Sequence, residues 1–256
     1  MSALNWDVEG DRLFETGVDQ VVLYPMNDDG TYEDGVAWNG VTGITESPEG
    51  AEANDIYADN IKYLSLISKE DWKGTIKAYT YPEEFNACMG NYKKSGVKVY
   101  FGQQKRKKFA LSWRTRLGND VNGDAFAYKI HIAWGLSAAP SEMDHATVND
   151  SPEAQEFSWE ISSIPPQTTE KIFINGGTAA ANQMSLQACA HVFIASKINL
   201  PGSGDIDNET TIKAVEAKLY GKDPTTVGGD DGTDPEVPTL TDLIKFFKND
   251  GIWPSA

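Results

Sequence analysis

The chain reads as a mainly β protein of antiparallel strands with a short flanking helix, and three observations carry that reading. Short runs alternate apolar and polar residues, clusters of turn-forming residues separate them, and 256 residues suit a single all-β domain. Trp72, Ile76 and Ala78 share one parity, and Lys73, Thr75 and Lys77 the other. Phe109, Leu111 and Trp113 alternate with Ala110, Ser112 and Arg114. Tyr128, Ile130, Ile132 and Trp134 alternate with Lys129, His131 and Ala133, and Phe157, Trp159 and Ile161 with Ser158, Glu160 and Ser162. Each run has one apolar and one largely polar face, which predicts a sheet buried on one side and open to water or a partner on the other.

In chain order, the first strand is expected at Gln20 to Tyr24, ended by the turn cluster Pro25-Met26-Asn27-Asp28-Asp29-Gly30. Glu46 to Asp59 is acidic and carries Pro48 and Gly50. An unstructured segment of that length inside a domain is either an interaction loop or a disordered tip, and interaction is the favoured reading because loops carry function. A helix is predicted over Pro82 to Met89, with proline at its first position, Phe85, Cys88 and Met89 on one face, and Gly90 as its stop. Asn119 to Asp124 supplies a tight hairpin connection. Further strands are expected at Lys171 to Ile174 and His191 to Ile198, and a helix at Thr210 to Tyr220 with Ile212, Val215 and Leu219 on one side, a Glu209 to Lys213 pair and Gly221 as its stop. A Gly, Asp and Pro-rich linker follows over 222–238. In the last segment, 239–256, Thr239 and Asp242 cap an amphipathic helix whose face is Leu240, Leu243, Ile244 and Phe247. A helix so short is marginal alone and must dock, on its own body or on a neighbouring copy.

The net charge is −16 and is segregated: residues 1–90 hold 18 acidic and 5 basic side chains, whereas residues 91–135 hold 2 acidic and 10 basic. Complementary patches of that kind steer association between copies. The run Lys105-Arg106-Lys107-Lys108 would suit a phosphate backbone, but in so acidic a chain a solvated turn or a protein contact is preferred. Cys88 and Cys189, far apart and in apolar company, read as free thiols, so synthesis in a reducing cytoplasm is expected. The start of the chain has no basic or apolar leader region, and no run of about 18 apolar residues exists, so neither a secretory signal nor a membrane span is expected.

His131, His145 and His191 stand apart from one another and from the cysteines, without metal-ligand spacing. Asp28, Asp29, Gly30, Glu33 and Asp34 miss the calcium-loop spacing and read as a polar turn. Gly202-Ser203-Gly204 lacks the rest of a phosphate-binding fingerprint. No nucleophile elbow or convergent acid–base set is present, so no enzyme, cofactor or metal is expected.

Two blocks carry a resemblance. One is Val36-Ala37-Trp38-Asn39-Gly40-Val41-Thr42-Gly43-Ile44-Thr45-Glu46-Ser47-Pro48-Glu49-Gly50-Ala51-Glu52, with Tyr57-Ala58-Asp59-Asn60-Ile61-Lys62-Tyr63-Leu64 and Ala78-Tyr79-Thr80-Tyr81-Pro82-Glu83-Glu84-Phe85. The other is Leu219-Tyr220-Gly221, Asp234-Pro235 and Pro238 to Phe247. Together they resemble the major tail protein of phages with long non-contractile tails, with weaker agreement between the blocks and none at 175–184. The resemblance implies two antiparallel sheets packed as a sandwich or small barrel with a flanking α-helix, over 1–221. It implies hexameric rings, built in the host cytoplasm, that stack into the virion's tail tube beside tape-measure, terminator and distal tail proteins. DNA would pass through an acidic lumen without specific binding. Glu46, Pro48, Glu49, Glu52, Asp55 and Asp59 would then lie on an inter-ring loop at about 42–59, with Lys105, Arg106, Lys107 and Lys108 as its basic counter-surface. Alternatives are a terminator or distal tail component on the same fold and, from the seven tryptophans and ten tyrosines, a carbohydrate-binding β-sandwich.

Overall fold

The computed structural model describes residues 6–10, 12–143, 145, 147, 154–173, 183–185, 188–200, 204–207, 209–221 and 234–248. The strands in chain order are β1 (Leu13–Pro25), β2 (Val36–Ala37), β3 (Val41–Glu46), β4 (Glu49–Gly50), β5 (Ala53–Ala58), β6 (Ile61–Ile67), β7 (Glu70–Asp71), β8 (Lys73–Ala78), β9 (Tyr92–Lys93), β10 (Tyr100–Phe101), β11 (Phe109–Asn119) and β12 (Gly123–Ala138). They continue as β13 (Phe157–Ser163), β14 (Lys171–Phe173), β15 (Gln183–Ser185), β16 (His191–Ala195), β17 (Lys197–Leu200) and β18 (Gly204–Asp207). The helices are α1 (Phe85–Met89), α2 (Glu209–Tyr220) and α3 (Leu240–Lys248). The chain is thus mainly β, as its periodicity predicts.

The main sheet is antiparallel, in the order β2-β1-β11-β12-β13-β8-β3. Strand β12 forks it. Residues Lys129 to Ala133 pair with β16, while Leu136 to Ala138 pair with β13 on the same edge. Between the two partners sits Gly135, with φ +65°. A Cβ there would lie 2.2 Å from the carbonyl oxygen of Ile164, so glycine is required both by the left-handed backbone and by the close approach of the next segment. Past the fork, β13, β8 and β3 fold back over the inner face of β1, β11 and β12. The layers are therefore two halves of one sheet.

The bulge also reassigns the side chains. Ile130, Ile132 and Trp134 join one core, whereas Ala133, Leu136 and Ala138 join the other, so the parity of β12 switches across Gly135. The inner core packs Leu111 and Trp113 against Ile76, Trp159 and Ile161, with Phe85, Cys88 and Met89 of α1 closing it. Phe85 meets Trp38, Trp159 and Phe109 in tilted and edge-on ring contacts. Gly90, at φ +85°, ends α1 as expected. The predicted start is corrected by one turn: Pro82 to Glu84 precede the helix. Burial pushes the Cys88 thiol up to about 12, and both cysteines are free.

The second core lies on the opposite face, and it corrects the expectation of a one-sided sheet. Ile130, Ile132, Trp134, Ala110 and Val22 are covered by Ile212, Val215 and Leu219 of α2 and by Leu240, Leu243, Ile244 and Phe246 of α3. The Tyr24 hydroxyl donates to the Leu219 carbonyl at 2.7 Å, and the Trp134 indole N–H donates to the Pro238 carbonyl at 2.9 Å. Thr239 caps α3 through its Oγ1, which accepts the Asp242 N–H at 3.1 Å and donates to the Asp242 carboxylate at 2.7 Å. The C-terminal anchor docks on its own body. Its phase corrects one residue: Phe246 is fully buried, while Phe247 is 44% exposed and packs edge-on against it. The 222–233 stretch of the linker and the Glu209 side chain lie outside the described residues.

Strand β1 is longer than predicted because Gly17 (φ +69°) and Gln20 (φ +51°) break its alternation, with register shifts against β11 at both places. Asp19 there bridges to Arg114, 2.7 Å and 2.9 Å, and to Arg116. The Arg114 guanidinium, its leading cause, holds the Asp19 carboxyl below its usual range.

Replacing Phe246 with alanine is expected to cost about 3–5 kcal/mol, against a change near zero for Phe247→Ala, read from urea denaturation of each. Because the Asp19 pKa is depressed on folding, its contribution is complete above the unfolded value of about 3.9 and is lost as pH falls through the lower folded value. Urea midpoints measured across this acid range are expected to fall less steeply in Asp19→Asn than in the parent.

Candidate assembly surface

The segment read from sequence as a loop is a β arm. The β3–β8 ladder continues through β4–β7 into the β5–β6 hairpin, so the chain runs out from the body and returns fully paired. Its tip is Asp59-Asn60, both with positive φ (+52° and +63°), the backbone that a two-residue hairpin turn needs. This corrects the unstructured reading. Pro48 and Gly50 mark irregularities between ladders, not a loss of structure.

Beside the exposed acids Glu46, Glu49, Glu52 and Asp59, the arm exposes apolar side chains that the sequence reading did not single out. Every residue of β6 is exposed, and Ile56, Tyr57, Ile61, Tyr63, Leu66 and Ile67 range from 40% to 72% accessible. The register puts Ile56 opposite Leu64 and Asn54 opposite Leu66, so Ile56, Leu64 and Leu66 share one face. An exposed apolar face of this kind is a candidate interaction surface. The acids are largely engaged within the arm and its root. Asp55 pairs with Lys62 at 2.7 Å and accepts from Ser65, which together hold its carboxyl below the usual range. Glu49 pairs with Lys73 at 2.5 Å, and Glu46 accepts from the Trp72 indole at 3.3 Å. Pro48, Glu52 and Asp59 are exposed.

The basic run is likewise engaged in its own chain. Lys107 pairs with Glu33 at 2.8 Å, and this carboxylate raises the lysine pKa. Arg106 donates to the Ala138 carbonyl at 2.6 Å, Lys105 lies 3.5 Å from Asp28, and the Lys108 carbonyl accepts from the Met26 N–H. The acidic turn at Asp28 to Asp34 is therefore the partner of this run, a pairing that one-dimensional charge counting does not specify. Of the three groups named from sequence, the C-terminal anchor is internal, the basic run is tied to the body through Arg106 and Lys107 while Lys105 stays exposed, and the arm projects from the body.

Sequence spacing missed one constellation. His131 and His191 lie on adjacent strands, β12 and β16, with Nδ1 of the first 3.1 Å from Nε2 of the second. Both rings stack on Trp113, and His191 also stacks on Trp72. Glu46, the last residue of β3, approaches both. Desolvation drives both histidines toward the neutral form, His131 to about 4. Sixty residues separate the two histidines in sequence, and only strand pairing brings them together.

No family model matches the chain, and no curated protein matches it significantly. No helix among the described residues is long and apolar enough to cross a membrane.

No side chain from Ala53 to Ile67 belongs to either core. Replacing residues 51–69 with Asn-Gly, which closes the β4–β7 pair by a two-residue turn, is therefore expected to leave the thermal midpoint of the body unchanged by circular dichroism. Binding of a hydrophobic dye is expected to fall.

Proposed function

We propose that the chain is a self-assembling structural subunit whose copies form rings that stack into the tube of a long non-contractile phage tail. The observation that carries this reading is the β arm: a fully paired ladder reaching out of the body that presents an uncovered apolar face. Full burial of a large apolar side chain contributes about 1.5–3 kcal/mol, so a few of them seated on a neighbouring copy suffice to hold successive rings. The residues that build the arm's root and turn, Thr42 to Glu52 and Tyr57 to Leu64, are among those that carry the sequence resemblance. In this reading the arm reaches the adjacent ring, and contact is apolar where the sequence suggested charge.

The acidic balance supports a transit role for DNA. A wall that neutralised several phosphates would hold the genome with strongly salt-dependent affinity, whereas a net charge of −16 repels it. The carbohydrate-binding alternative loses the support of its tryptophans: Trp38, Trp113, Trp134 and Trp159 are buried, Trp72 is half-buried in a stack with His191, and among the described tryptophans only Trp6 is exposed.

Electron microscopy of the concentrated protein is expected to show rings and tubes, and the arm-replaced variant to give no stacked tubes while keeping its fold. Substituting Ile56→Lys together with Leu66→Lys is expected to do the same with a smaller change. Normal tube growth by both variants overturns the role of the arm. In a low-salt gel-shift titration no duplex DNA binding is expected; tight, salt-sensitive binding overturns the transit reading.

A further inference from the structure

We propose that Glu46, His131 and His191 form a binding site for one divalent transition-metal ion of the zinc class. The inference is independent of the tube reading. One donor atom from each residue lies within 4.8 Å of the others. His131 Nδ1 is 3.1 Å from His191 Nε2 and 3.7 Å from Glu46 Oε1. Donors about a tetrahedral zinc ion, with bonds of about 2.0–2.1 Å, stand roughly 3.3–3.4 Å apart, and these two separations bracket that spacing.

The outer partners fix the tautomer of His131. The Thr115 hydroxyl donates to Glu15 Oε1 at 2.6 Å, so its oxygen is left to accept from His131 Nε2–H, 3.0 Å away. That places the His131 lone pair on Nδ1, facing His191 Nε2 at 3.1 Å, while His191 Nδ1 lies 3.4 Å from Glu46 Oε2. With the His191 proton on Nε2 the two rings share a neutral hydrogen bond; with it on Nδ1 two lone pairs converge on the position of the ion. Glu15, the other carboxylate nearby, is occupied by Lys129 at 2.5 Å, which leaves Glu46 as the carboxylate free to reach the ion. A metal ion accepts both lone pairs and keeps the rings neutral. Hydroxyl and carboxylate support behind a ligating imidazole is the usual outer arrangement of such sites.

Access and a fourth ligand are also provided. The site opens on a groove of about 860 Å³ lined by Glu46, Glu70, Trp72, Gln167, Cys189 and His191, wide enough for a water in the remaining position. The three ligands come from β3, β12 and β16, so the ion would tie the root of the arm to both strands beside the fork.

The test uses the full chain, stripped with a chelator and titrated with Zn²⁺ by calorimetry and with Co²⁺ by visible absorption. One equivalent is expected to bind, with a tetrahedral cobalt spectrum and a raised thermal midpoint. Glu46→Gln and His191→Ala are each expected to weaken binding about tenfold or more, whereas His145→Ala, at an exposed position, binds as the parent does. Glu46 is a surface residue, so its variant reports on binding without a folding defect, checked by melting without metal. Absence of saturable binding in the parent, or parental affinity in both Glu46→Gln and His191→Ala, overturns the site.

Discussion

The structure depends on one long strand serving two compartments and two neighbours. Strand β12 gives alternate side chains to each face and presents one edge to β16 and then to β13. A regular strand cannot do both, because its period of two fixes every side chain to one face and its edge to one partner. Gly135 resolves this with a positive φ and no Cβ, so that Trp134 points to the helices and Leu136 to the inner core. From that point β13 departs, carrying β8 and β3 over the inner face. The double layer and the placement of the arm both follow from it.

Both faces of the central strands are buried where the two cores meet them, whereas the first half of β1 and Phe193 of β16 stay exposed. Helices α2 and α3 cover one face and the returning half of the sheet covers the other. In the proposed assembly the partner-facing role falls to the element that leaves the body, the hairpin beyond β3 and β8. Its inward-facing backbone groups are paired along the ladder, while its two outer edges and its apolar side chains stay uncovered. A paired ladder with an uncovered apolar surface separates this arm from an unstructured loop.

The arm is also coupled to the body at its root. Glu46 closes β3, reaches the two stacked histidines and accepts from Trp72. Any change in the occupancy of that site therefore acts where the arm leaves the sheet.

Some of this was legible in the sequence. Alternation along β8, β11, β12 and β13 determined a mainly β fold, because burial of a pleated strand leaves a period-2 signature. Gly90 and Gly221 stopped their helices where expected, and the Thr239 to Asp242 cap announced α3, since these are local backbone requirements. What the sequence could not decide were relations between distant segments. Helical phase alone did not choose Phe246 over Phe247, because both are apolar and the contact surface on β12 makes the choice. The two-sided burial of β12 was hidden by His131 and Lys129, whose polar character reads as solvent exposure, although His131 is buried against Trp113. The pairing of Lys107 with Glu33, and of His131 with His191, arises from strand neighbours in space. The sequence determined the elements; the tertiary structure alone decided which faces meet and which side chains converge, because both depend on ladder register and on one bulge in β12.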